Sequence, residues 1–234
     1  MIAIHPPAYF PGLRYMALMQ QVDCFVLADT VPYTRRSMQR RGRLRNPQGW
    51  QWITVPLRAH QQGRPIVDAA INDDDPWKGK HWRALQYNYR STPYFEYFEP
   101  ELEPLFDRDW KTLGALTSAT VDLVHDMMGL STSVVRASEL DGAPDTVAGI
   151  LDQMDDTVRV AYDEEGARDA AHAQHVLWFD APTYHQNFSG FEPDMSAVDL
   201  LFNYGPDARS ILADHSRIEP LSTSASEEDQ LTSS

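Results

Sequence analysis

The sequence holds a single cysteine, Cys24, so no intrachain disulfide framework is available to it. Lysine is almost as scarce: Lys78, Lys80 and Lys111 stand against 17 arginines. No apolar run reaches the roughly 18 residues that a membrane-spanning helix needs. The opening Met1-Ile2-Ala3-Ile4-His5-Pro6-Pro7 has neither a basic leader nor a long apolar core, so no signal peptide is expected. No Walker-type glycine loop and no Gly-x-Ser-x-Gly elbow occurs. His172 and His175 lie three apart with no partner cysteine, so no metal site is expected. Disulfide scaffolds and spanning proteins are excluded, and a cytoplasmic location is the expectation.

What is present is a chain of 234 residues, 42% hydrophobic and 11% aromatic, which is enough to bury a real core. Its net charge is -14. An acidic, lysine-poor surface suits a protein that works in high salt, where screening relieves self-repulsion. An ordinary acidic cytoplasmic protein is the other reading. The charge is uneven: residues 1–93 carry +7 and residues 94–234 carry -21. Anion recognition is therefore expected in the first part of the chain.

Hydrophobic spacing predicts a strand over Ile2–Ile4, a helix over Leu13–Val22 and a strand over Asp23–Ala28, the size of a βαβ unit. An Arg-rich loop is predicted from Tyr33 to Gln48, a strand over Trp50–Leu57 and another over Ile66–Ile71. Helices are predicted over Trp77–Arg90, Trp110–Met128, Thr146–Met154 and Ser196–Tyr204, with a broken helix over Tyr94–Phe106. Late strands are expected at Val158–Tyr162 and His175–Phe179, with a small Ala-rich helix between them. Strands alternating with helices indicate an α/β fold with a partly parallel, Rossmann-like sheet. A single domain over 2–215 is expected, with a helical insertion at about 77–155 and a disordered acidic tail at 222–234.

Several residues could carry chemistry. His5 ends the first strand and Asp29 follows the second; neighbouring strands would bring them together where such sheets bind ligands. His5 could act as a general acid or phosphate donor, or cap a turn. Tyr9 and Phe10 read equally as packing. Arg35 to Arg45 places six arginines in eleven positions, a density that suits phosphate or carboxylate. On a chain this acidic, a merely solvated basic loop is the weaker reading. RNA would be another ligand, with Tyr33, Trp50 and Trp52 for stacking, but the acidic second half argues against a nucleic-acid track. Lys78 to Arg83 forms a second basic knot. Cys24 lies in an apolar run and reads as core.

Ordered blocks run along the chain: Ile4-His5-x-Pro7-x-Tyr9-Phe10-Pro11, Asp23-x-Phe25-Val26-x-x-Asp29-x-Val31-x-Tyr33, Arg36-Ser37-x-Gln39-x-Arg41-x-Arg43-Leu44 and Gly49-Trp50-Gln51-Trp52-Ile53-Thr54-Val55-Pro56. Lys80-His81-Trp82, Ser138-Glu139-Leu140 and Phe188-x-Gly190-Phe191-Glu192-Pro193-x-Met195-Ser196-x-x-Asp199-Leu200-Leu201-Phe202-Asn203 follow. From about Ile2 to Gly205 the chain resembles the WbqC-like family of bacterial polysaccharide gene clusters. That resemblance implies a role in surface-polysaccharide (O-antigen) biosynthesis, with glycine transfer onto an amino sugar suggested for some members. It implies a transferase or amide-forming ligase with His5, Asp29 and His81 as catalytic candidates. Tyr9, Tyr33, Arg36, Gln39, Arg41, Arg43, Lys80, Trp82, Glu192 and Asn203 become candidates for holding a small anionic substrate, a nucleotide or nucleotide sugar. The chain departs from the usual family pattern at Pro6, Gly12-Leu13-Arg14, Arg40, Gly42 and Val158–Glu165. The opening also resembles nucleotidyltransferase-type α/β folds such as pantothenate synthetase, which implies ATP and magnesium. Binding without turnover, and binding of RNA or aminoacyl-tRNA, are the alternatives.

Overall fold

The computed structural model describes residues 1–35, 37–154, 158–162 and 173–221. Arg36, the region proposed as an Ala-rich helix and the acidic tail therefore lie outside the described residues. A six-stranded sheet organises the rest: β1 (Ile2–His5), β2 (Cys24–Leu27), β5 (Ser133–Arg136), β6 (Arg159–Ala161), β7 (Ala173–Phe179) and β8 (Ser216–Pro220). Its order is β5-β2-β1-β6-β7-β8, parallel except for β8, which runs antiparallel to β7. This is a Rossmann-like α/β fold. The order reverses between β1 and β6, the switch point where doubly wound sheets open a crevice.

Strand periodicity explains how the sheet is buried. Ile2 and Ile4 of β1, with Val26 of β2, face one side and pack with Ile150 of α5 (Val147–Leu151). Ala3, Phe25 and Leu27 face the other side, into the larger core. Successive side chains point to opposite faces, so His5 shares its side with Ala3. That side carries α1 (Leu13–Gln20), which packs on β7 and on α7 (Asp207–Asp214). α2 (Trp77–Tyr89), α3 (Phe95–Asp107), α4 (Leu113–Met127) and α6 (Ala197–Tyr204) complete the larger core.

A separate antiparallel hairpin, β3 (Arg41–Asn46) with β4 (Gly49–Thr54), stands beside the sheet. Six residues of the expected Arg-rich loop, Arg41–Asn46, are thus strand. Arg41, Arg43 and Arg45 alternate with Gly42 and Leu44, a period of two in which arginines rather than apolar residues mark one face, half-buried at Arg41 and Arg43 and buried at Arg45. The strand expected over Ile66–Ile71 is instead a 3-10 turn, Ile66–Asp68, flanked by single bridges at Ala70 and Ile71. α3 is continuous although Pro100 and Pro104 lie inside it. Each interior proline costs about 3 kcal/mol, and burial of Phe95, Phe98, Leu102, Leu105 and Phe106 offsets that cost. Within the segment expected to be helical, β5 pairs with β2 at the sheet edge.

Candidate functional site

A cavity of about 700 Å³ opens at the switch point. Its floor is the loop that leaves β1, from His5 to Gly12, and the first turn of α1. Its walls come from Tyr162 after β6, Phe179 at the end of β7, Thr34, Ser37, Met38 and Gln39, and Asp194 with Met195. Three prolines of the loop, Pro6, Pro7 and Pro11, line it, and each lacks a backbone N–H to offer to water.

His5 sits at the mouth of β1 between two tyrosines. Its ring is edge-on to Tyr15, with centroids 5.0 Å apart, and 4.8 Å from Tyr162. Nδ1 lies 3.0 Å from the carbonyl oxygen of Pro6. A carbonyl only accepts, so Nδ1 is the donor there, and the basic lone pair of the neutral ring is on Nε2. Tyr15 donates its hydroxyl to the same carbonyl at 3.3 Å, and burial raises its pKa well above the ordinary tyrosine value. Arg14, in the first turn of α1, donates to the carbonyls of Tyr162 and Phe179 at 3.4 and 3.5 Å. Its guanidinium lies 5.3 Å from the Phe179 ring centroid.

The hairpin adds Arg41 to this cavity. On its outer face Arg41 lies over Trp52 at 4.5 Å and Arg43 over Trp50 at 4.0 Å. Arg43 also faces Asp194 at 3.6 Å, at the cavity wall. Gly42, on the opposite face, lets the hairpin press on the loop: a Cβ there would fall 2.9 Å from Cβ of Phe10 and 3.0 Å from the Tyr9 carbonyl. Phe10 itself holds a φ of 48°, a left-handed conformation that costs a non-glycine residue about 1–2 kcal/mol. Arg45 is fully buried and serves the scaffold. It donates to Asn46, Gly49 and Ser189 carbonyls and to Gln186 Oε1, tying the hairpin to the segment before α6.

Four of the expected site residues, His5, Tyr9, Gln39 and Arg41, line the same cavity. Arg36 lies outside the described residues, and the other candidates do not line this cavity. His81 stands behind Tyr9, with Nδ1 3.0 Å from the phenol oxygen. Burial pushes His81 down to about 4, against the pull of Asp75, and raises Tyr9 well above 10. Both are neutral at pH 7, and His81 reaches the cavity only through Tyr9. Asp29 is buried and accepts from the Ser138 amide at 2.9 Å and the Ser138 hydroxyl at 2.6 Å. Lys80 is exposed and paired with Asp75 at 2.6 Å. Trp82 packs on Phe95 and Phe106. Tyr33 lines a second, smaller cavity. Glu192 exchanges backbone hydrogen bonds with the Gln186 side chain, and Asn203 donates to the Asp199 carbonyl one turn back. Asp199 is itself buried; burial raises its pKa, opposed by hydrogen bonds from Tyr184, Tyr89 and Gln186.

Sequence reasoning missed Arg14, Tyr162, Phe179 and Asp194. Arg14 reads as a solvent-facing helix residue until α1 is placed against β7. Tyr162 and Phe179 gain a role only from the strand order. Among the described residues no group of three or more His, Cys, Asp and Glu side chains converges as a metal site. No helix among them is long and apolar enough to cross a membrane.

The uncharacterized protein Rv1507c of Mycobacterium tuberculosis is 31% identical over 224 residues, covering 90% of this chain and 96% of the relative. No solved structure matches the chain. The family model of the WbqC-like protein family matches residues 6–211, which takes in the loop from Pro6 to Gly12, the hairpin and α6. The chain belongs to the WbqC-like protein family.

Proposed function

We propose that the cavity at the β1–β6 switch point binds a small anionic substrate, a nucleotide or nucleotide sugar, and that the protein is a transferase or amide-forming ligase of surface-polysaccharide assembly. The observation that carries this reading is the convergence of His5, Arg14 and Arg41 with the Tyr162 and Phe179 rings around one 700 Å³ space. Guanidinium groups suit phosphate oxygens, and flanking aromatic rings suit a base or a sugar face. The volume falls within the range of small-molecule sites, roughly 300–1,000 Å³.

In amide formation an amine attacks an activated carbonyl, the activating phosphate leaves with the bond electrons, and the amine must lose a proton. His5 would take that proton at Nε2, since Nδ1 faces the Pro6 carbonyl. Arg41 and Arg14 would hold the leaving phosphate, and the proline-lined floor would keep water away from the activated carbonyl. Magnesium would arrive on the nucleotide phosphates, which need few protein ligands. Glycine onto an amino sugar is one transfer of this class, consistent with the family.

A panel of ATP, AMP and nucleotide sugars, with and without magnesium, tests the reading by thermal shift. A ligand at about 100 times its dissociation constant adds about 2.7 kcal/mol to stability. Arg41→Ala is expected to weaken the active ligand at least about tenfold, or about 1.4 kcal/mol. Unchanged affinity in that variant would remove the cavity from consideration. Binding without turnover is the second reading, and mass spectrometry of the reaction mixture separates the two. RNA gains little from the geometry, because Trp50 and Trp52 each already stack a guanidinium.

A further inference from the structure

Beyond the large cavity, a second one of about 280 Å³ is lined by Tyr33, Arg35, Arg40, Leu57 and the run Arg58 to Gln62. Its charge is of one sign. Arg35, Arg40, Arg58 and His60 line it, and no carboxylate does. None of these four side chains forms an ion pair among the described residues. On a chain with net charge -14, several arginines gathered without acids are an uncompensated positive field.

The walls are built rather than incidental. Tyr33 and the loop clasp each other through Tyr33 N to Arg64 O at 2.7 Å and Gly63 N to Tyr33 O at 2.9 Å. Gln62 Oε1 accepts from the Arg35 amide at 2.8 Å, which joins the two rims. Gln61 is buried, with its amide nitrogen donating to the Ala59 carbonyl and its oxygen accepting from the Ala70 amide. His60 sits at a φ of 60°, a left-handed conformation for which His is among the better-tolerated residues. Arg40, which lines the cavity, donates Nη1 to the Val55 carbonyl at 3.4 Å, and its buried Nε has no hydrogen-bond partner among the described residues.

We infer that this second cavity is a binding site for a diphosphate group. Four cationic or proton-donating side chains match the three to four charges of a diphosphate better than the single charge of a carboxylate. Tyr33, Arg35 and Arg40 line this site while their sequence neighbours Thr34, Ser37, Met38 and Gln39 line the large cavity, and Arg41, His5 and Arg14 do not line it. It therefore stands or falls separately from the nucleotide reading.

Calorimetric titration of the whole chain with inorganic pyrophosphate tests the inference, at low and at high sodium chloride. Saturable binding is expected, weakened by salt and reduced at least about tenfold in Arg58→Glu and in Arg35→Glu, about 1.4 kcal/mol each. Arg41→Ala is expected to leave it unchanged. Both Glu variants alter exposed side chains, and their thermal midpoints show separately that they fold. Amide chemical shifts of the unmutated protein give a second reading, with pyrophosphate perturbing residues 57–62. A nucleoside diphosphate run in parallel identifies the source. Pyrophosphate binding alone means a free anion, and equal loss of both ligands in Arg58→Glu means the diphosphate of a larger molecule. No binding at millimolar pyrophosphate would overturn the site. So would binding that both Glu variants retain, or that only Arg41→Ala removes.

Discussion

His5 ends β1 and Asp29 follows the adjacent parallel strand β2, yet the two side chains meet different surroundings. Asp29 is buried and gives both carboxylate oxygens to Ser138. It explains why the Ser138-Glu139-Leu140 block accompanies the Asp29 block: one anchors the other. Asp29→Ala leaves a buried amide and hydroxyl without an acceptor and is expected to cost about 2–3 kcal/mol. Urea unfolding checks this. A catalytic carboxylate would give the opposite pattern, an unchanged midpoint with lost turnover. His81 supplies a prediction with pH. Its folded value of about 4 lies below the ordinary 6.5, so the folded protein takes up its proton less readily than the unfolded chain. Its contribution is whole above pH 6.5 and is lost as pH falls towards 4, about 3 kcal/mol in all. Asp199 works in the other direction, because its raised value favours the folded state as pH falls. His81→Gln should therefore flatten the acid-side loss of stability, read as urea midpoints between pH 7 and 4. An unchanged slope would mean that His81 is not the titrating group.

The hairpin is the element on which the large cavity depends. It places Arg41 in the cavity wall and presses Gly42 against the Tyr9–Phe10 backbone. Gly42→Ala puts a methyl group within about 3 Å of backbone atoms that cannot swing away. The expected result is about 1–3 kcal/mol of destabilisation together with weaker ligand binding, measured by urea unfolding and calorimetry. Destabilisation without an affinity change would separate the hairpin from the site. The same element shows what the sequence discloses. β1, α1 and β2 were legible because apolar spacing sets them, and α6 because its Ala197, Val198, Leu200, Leu201 and Phe202 are buried as their spacing requires. β3 was not, because its outer face is arginine stacked on tryptophan, a pattern that looks like a basic loop until the partner strand is known. β5 and β8 escaped because they are short strands at the sheet's edges, with little apolar alternation. His5, Tyr9, Gln39 and Arg41, which line one cavity, were legible as candidates from block order. Arg14 and Tyr162 were not, since their roles arise only from strands and helices that are distant in sequence.

Across the whole molecule the charge of -14 is opposed to a basic first part that contributes +7. Self-repulsion of the acidic surface is screened by salt, with a Debye length of about 10 Å at 0.1 M and about 3 Å at 1 M. The thermal midpoint is expected to rise between those two salt concentrations. A flat or falling midpoint would show that the acidic surface does not limit stability. Anion binding should move the other way, weakening as salt rises, because guanidinium–phosphate contacts are screened too. The two trends together separate the surface from the sites.

The central claim is that the switch-point cavity, built from the His5 loop, α1 and the hairpin, receives the substrate's anionic group. Its most direct test is a titration of isotope-labelled protein with the nucleotide that gives the largest thermal shift, followed at the His5 ring nitrogens and the Arg14 and Arg41 side chains. Saturating shifts at all three, lost together in Arg41→Ala, are the predicted result. Saturation that leaves these signals in place while others move would contradict it.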